Sequence, residues 1–129
     1  PLQNFLAQMI HQGRVQYVLS QLLPASPDSV MMGYSQAQTE WCEASEQAIW
    51  QFLIEQDLLY NSDQMLIAKY MNPAPTTRGM PAESPGRVVA WVGWQIVESF
   101  MKRHPSMSFR ELMQITDAQY LLNESKYKP

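Results

Sequence analysis

Residues 84–104, SPGRVVAWVGWQIVESFMKRH, constrain the fold more than any other stretch of the chain. Ser84 offers a cap, Pro85 stands where a first helical residue needs no N–H, and Pro105 biases His104 out of helical geometry. The spacing therefore predicts a helix over residues 84–104. Within it Gly86, Ala90, Gly93 and Val97 recur every three or four residues, a row without bulk along which a second backbone can come close. Trp91 and Trp94 flank the row. The apolar run at 88–94 is far shorter than the roughly 20 residues a bilayer-spanning helix needs. The segment reads as the central buried helix of a small bundle.

The rest of the chain supplies partners for it. Residues 2–23 predict a first helix, with Leu2, Phe5, Leu6, Met9, Ile10, Gly13 and Tyr17 on one arc and Pro24 as the stop. Residues 24–34 carry the Pro, Ser, Asp and Gly of a connector. Ser35, with Gln38 three residues on, opens a second helix expected to run to about Leu59. Its expected core face is Trp41, Ser45, Ala48, Ile49, Phe52 and Leu53; Glu40, Glu43, Gln47, Gln51 and Glu55 form the wetted side. A short third helix spans 64–71. Residues 72–86, NPAPTTRGMPAESPG, hold four prolines and cannot be regular structure. Ser108 and Glu111 make a second capping box, and Thr116-Asp117 starts a last helix over about 118–123. No strand-like alternation occurs. The expectation is an all-α fold: one compact bundle of about five or six helices and no sheet.

Composition narrows the function classes. Hydrophobic residues make up 46% and charged residues 16%, a globular balance, and the net charge of −3 comes with no basic cluster longer than Lys102-Arg103. Nucleic acid is not an expected partner. Cys42 is the only cysteine, so neither an internal disulfide nor a thiolate zinc site can form within one chain. HExxH, CxxC, GxSxG and phosphate-loop patterns are all missing, and His11 and His104 lack ligand spacing. Glu43 and Glu46, three residues apart, have only generic context for acid–base work. Independent catalysis, a metal and a cofactor are all unexpected.

Two long segments carry a family resemblance. They are MIHQGRVQYVLSQLLP, continuing through GYSQAQTEWCEASEQAIWQFLIEQDLLY, and APTTRGMPAESPGRVVAWVGWQIVESFM, followed by the final DAQYLLNESKYKP. Together they resemble the C-terminal part of the gliding motility-associated lipoprotein GldB family of Bacteroidetes. That family is in turn similar to predicted zincin-type zinc peptidases, in which an upstream helix carries HExxH and a later Glu-Gly pair completes the metal site. Gln12, before Gly13, stands at that Glu position, and a neutral amide is a weak zinc ligand. The resemblance thus implies a degenerate, non-catalytic, zincin-like domain of a periplasm-facing envelope lipoprotein, with gliding or secretion machinery as its partner. Beginning at Pro1, the chain reads as a single helical domain from the C-terminal part of a longer protein whose lipid anchor lies upstream. The alternative is the C-terminal half of an active zinc peptidase with its HExxH helix upstream of Pro1, and a third reading is a packing domain without a ligand.

Three polar positions stand out on the helices. Glu46 projects onto an apolar arc between Trp50 and Leu53, where a carboxylate needs a partner; Arg87 is the first expected partner and Arg14 the second. Arg87, Trp91, Gln95, Glu98 and Lys102 line up along the central helix. With Arg78 and Glu83 from the proline-rich segment nearby, Glu83, Arg87 and Trp91 are expected to line a docking surface closed partly by that segment. His11 projects away from the apolar arc and reads as solvated.

Overall fold

The computed structural model describes residues 4–23, 32–72, 80 and 84–129, and among them there are six α-helices and no strand. They are α1 (Phe5–Leu22), α2 (Gln36–Glu55), α3 (Gln64–Met71), α4 (Val88–Arg103), α5 (Phe109–Gln114) and α6 (Ala118–Ser125). The all-α expectation holds. α4 is the hub: α1 packs along it most extensively, α6 next, and α2 and α3 touch it more lightly. Eleven of its sixteen residues are buried, Trp94, Val97 and Phe100 among them.

The row of small residues does what its spacing predicts. α1 crosses α4 where Gly13 faces Gly93, and a Cβ built on Gly13 would collide with the Gly93 carbonyl and the Trp94 backbone nitrogen. One built on Gly93 would collide with the Met9 carbonyl. Backbone therefore meets backbone at this crossing, and only glycine fits on either side.

The start of α4 differs from expectation. Ser84 and Pro85 do not open it; the helix begins at Val88, with Arg87 as a cap in the left-handed region (φ 59°) and no side-chain capping bond. Tertiary bonds hold the preceding turn out of the helix. Tyr34 Oη donates to the Gly86 carbonyl at 2.7 Å, while the Arg87 side chain is drawn away towards α1 and α3. A left-handed residue cannot sit inside a right-handed helix, so the first turn must follow Arg87.

α2 opens as predicted, with both bonds of the Ser35/Gln38 capping box in place. It stops at Glu55, four residues before the expected Leu59, because Asp57 takes a left-handed conformation (φ 54°). Leu58 N–H then reaches back to the Leu53 carbonyl and Asp57 N–H to that of Ile54, a Schellman closure made without glycine. The freed turn has a use elsewhere. The carbonyls of Leu59 and Asn61 accept from Leu6 and Phe5 N–H, satisfying the otherwise unpartnered start of α1, where Asn4 Oδ1 also accepts from Ala7. The α2 seam is narrower than expected: Thr39, Cys42, Ile49 and Leu53 are buried, and Ala48 is exposed rather than core. Burial pushes the Cys42 thiol up to about 12, with Glu43 adding to the effect.

The Ser108/Glu111 box opens α5 as read from the sequence, and α6 runs two residues past the expected Asn123. Arg14 is only 8% exposed, and its Nη1 donates to the carbonyls of Leu112 and Ile115, so α1 caps the open end of α5.

Candidate functional site

Gln12 and Arg87 come together. Arg87 Nη2 donates to Gln12 Oε1 at 2.9 Å, and Nε donates to the Met71 carbonyl at 3.2 Å. The cluster joins α1, the end of α3 and the turn before α4, and Tyr34 closes it through its bond to Gly86. Burial raises the Tyr34 phenol first, Cys42 raises it further and Arg87 opposes the shift. The phenol is therefore a fixed donor rather than an acid. The chemistry of the donors does not suit a divalent cation: the one oxygen of Gln12 is neutral and already bound by a guanidinium, which repels positive charge. Among the described residues no three His, Cys, Asp or Glu side chains converge in a ligating group.

The expected docking surface is corrected in part. Trp91 is 3% exposed and belongs to the hydrophobic core, so the stripe does not meet solvent at that position. Arg87 is half-buried and committed to Gln12 and Met71. Glu83, Arg78 and most of the proline-rich segment lie outside the described residues.

Glu46 is half-buried and paired, but with neither expected arginine. Arg87 points to Gln12 and Arg14 to the end of α5, which leaves Glu46 to accept from Tyr127 Oη at 2.7 Å. The Tyr127 ring stands edge-on to Trp50 at 5.1 Å between centroids. Burial and the Glu46 carboxylate both raise the Tyr127 phenol, so it keeps its proton and donates. The lower half of the α4 stripe joins this pair. Gln95, Glu98 and Lys102 line a polar groove of about 310 Å³ with Glu46, and Lys126, Tyr127 and Lys128 close it. Sequence reasoning missed the contribution of residues 126–129 to this groove. The available signal was a tyrosine set between two lysines in an otherwise hydrophilic stretch.

The histidines stay apart. His11 is half-buried on α1 and held below its ordinary pKa by burial and then by Arg14. His104 stacks on Phe100 at 4.2 Å, its Nδ1 bonds the Phe100 carbonyl at 2.8 Å, and Nε2 lies 3.8 Å from Glu124. A larger cleft, about 470 Å³, lies where α1 and α6 begin. There Asn4 and Asp117 cap their helices and Tyr60 donates to Gln119.

Among the described residues these features define a helical unit with a glycine crossing, a guanidinium-bound amide and no assembled ligating group. The chain belongs to the family of gliding motility protein GldB, whose family model matches residues 2–129. It is thereby a gliding motility-associated lipoprotein domain with a cell-envelope location. Among the described residues no helix is long and apolar enough to cross a membrane. No curated protein and no solved structure matches the chain.

Proposed function

We propose that this chain is the non-catalytic helical C-terminal domain of a periplasm-facing envelope lipoprotein, a degenerate zincin-like unit serving the gliding or secretion machinery as a structural and protein-interaction component. The observation that carries the reading is the bond from Arg87 Nη2 to Gln12 Oε1. The zincin resemblance puts the third metal ligand at position 12. Here that position holds a neutral amide, and a cation occupies its oxygen. Replacing a ligating carboxylate by an amide removes charge from a zinc shell, and an adjacent guanidinium opposes a second positive charge. The polar cluster is better suited to joining α1, α3 and α4 than to activating water.

The test uses the full-length protein washed with chelator. Elemental analysis is expected to find no stoichiometric zinc, and Gln12→Ala is expected to leave metal content unchanged. Retention of about one zinc per chain, lost in Gln12→Ala, would overturn this reading in favour of a zinc-binding site at position 12.

A further inference from the structure

The groove between α2 and α4 is partly covered by a piece of the same chain. Up to Ser125 that piece is firmly fixed: the side chain of Ser125 is fully buried, and its carbonyl accepts from Ser99 Oγ at 2.7 Å and Arg103 Nε at 3.1 Å. Beyond it the hold becomes sparse. Lys126 turns left-handed (φ 56°), its side chain and that of Lys128 are exposed, and the outer hold is one tyrosine. Tyr127 supplies the hydrogen bond to Glu46 and the ring contact with Trp50, steadied by its own N–H on Ser125 Oγ. The charges of the two sides are complementary. The helices bring Glu46 and Glu98, against Lys102 alone, to a groove whose other side carries Lys126 and Lys128. About 310 Å³ stays open between them, so the segment covers the groove without filling it.

We propose that this groove is an exchangeable peptide-binding site for a short segment carrying a tyrosine between lysines, and that residues 126–129 occupy it in cis as a strap. The left-handed Lys126 is the hinge, since the anchored part of the chain ends there. Glu46 is the specificity residue: it accepts the phenol, and a phenylalanine in the same place would leave the carboxylate without that bond. The strap opens by rotation about residue 126, and a segment of the same chemistry on a partner can then take the vacated place. The inference gives the proposed interaction role a surface and rests on that role only for its biological use. The groove shares no residue with Gln12 or Arg87, so a failed peptide titration leaves the zinc measurement intact.

The experiment is a fluorescence-anisotropy titration of labelled Ser-Lys-Tyr-Lys-Pro peptide against the full chain carrying Tyr127→Ala. Saturable binding is expected, at least about tenfold tighter than to the wild-type chain, whose groove is already occupied. Adding Glu46→Gln, or replacing the peptide's tyrosine by phenylalanine, is expected to weaken binding by about tenfold, the scale of one hydrogen bond to a charged group. A Tyr127→Ala chain with wild-type circular dichroism and no saturable binding, or with binding indifferent to both changes, would overturn the proposal. Should that variant fail to fold, amide exchange in the wild-type chain decides. Residues 126–128 exchanging much faster than α4 supports a strap that opens locally; exchange as slow as that of α4 overturns it.

Discussion

The α1–α4 crossing and the α2 flank are joined to the same central helix by opposite means. At the crossing, Gly13 and Gly93 bring two backbones together and the surrounding side chains are buried hydrocarbon. On the flank, α2 meets α4 through a narrow seam, and its outer hold is a phenol on a carboxylate and one ring against another. The first joint has no slack, because nothing between the helices can rotate or be replaced by water. The second can exchange its partner for solvent at modest cost. Stability should therefore concentrate at the crossing, and motion on the flank.

The largest expected effect comes from removing bulk from α4 itself. Trp91→Ala should lose about 3–5 kcal/mol of unfolding free energy in a urea titration, the range for an aromatic core residue. A fully stable variant would return Trp91 to the surface role its sequence position suggested. Gly13→Ala tests the opposite error, too much bulk. It should cost about 1–3 kcal/mol or more, since backbone atoms rather than flexible side-chain ends stand in the way. Combined with Gly93→Ala the losses should not add, because either change already separates the helices.

On the flank the effects should be smaller and local. Tyr127→Phe should cost about 1 kcal/mol, and Glu46→Ala only slightly more, with a double-mutant cycle assigning most of the loss to the shared bond. Hydrogen exchange should quicken in α2 while α1 and α4 stay unchanged; equal quickening everywhere would erase the contrast between the two joints. The smallest effect concerns pH. His11 lies below its ordinary 6.5 in the folded chain, so the unfolded state binds its proton first as pH falls. Its contribution to stability is full above pH 6.5 and is lost as pH drops from there through the lowered folded value. His11→Gln should flatten that part of a stability–pH curve without changing stability at pH 8.

Much of this was legible in the chain. Ser35 with Gln38 and Ser108 with Glu111 mark helix starts because a capping box is made within four residues and needs no tertiary partner. Gly93 among small neighbours announces a close approach, although nothing local names Gly13 as its counterpart. The need of Glu46 for a partner was readable from its place on an apolar arc. The partner's identity was not, since Tyr127 lies 81 residues away and both expected arginines are engaged elsewhere.

The sequence by itself determined the helical class, both capping boxes, the central place of α4 in the core, Trp91 apart, and, through its family, the envelope setting of the protein. These rest on local periodicity, on caps a few residues long and on likeness between chains. Tertiary structure alone decided that α4 starts after Arg87 rather than at Ser84, that α2 ends at a left-handed Asp57, and that Trp91 is core. It also brought Arg87 to Gln12 and Tyr127 to Glu46. The start of α4 and the two side-chain pairs depend on which distant group reaches a backbone carbonyl or a side-chain oxygen. Tyr34 takes the Gly86 carbonyl from 52 residues away, and the first turn of a helix gives way to it.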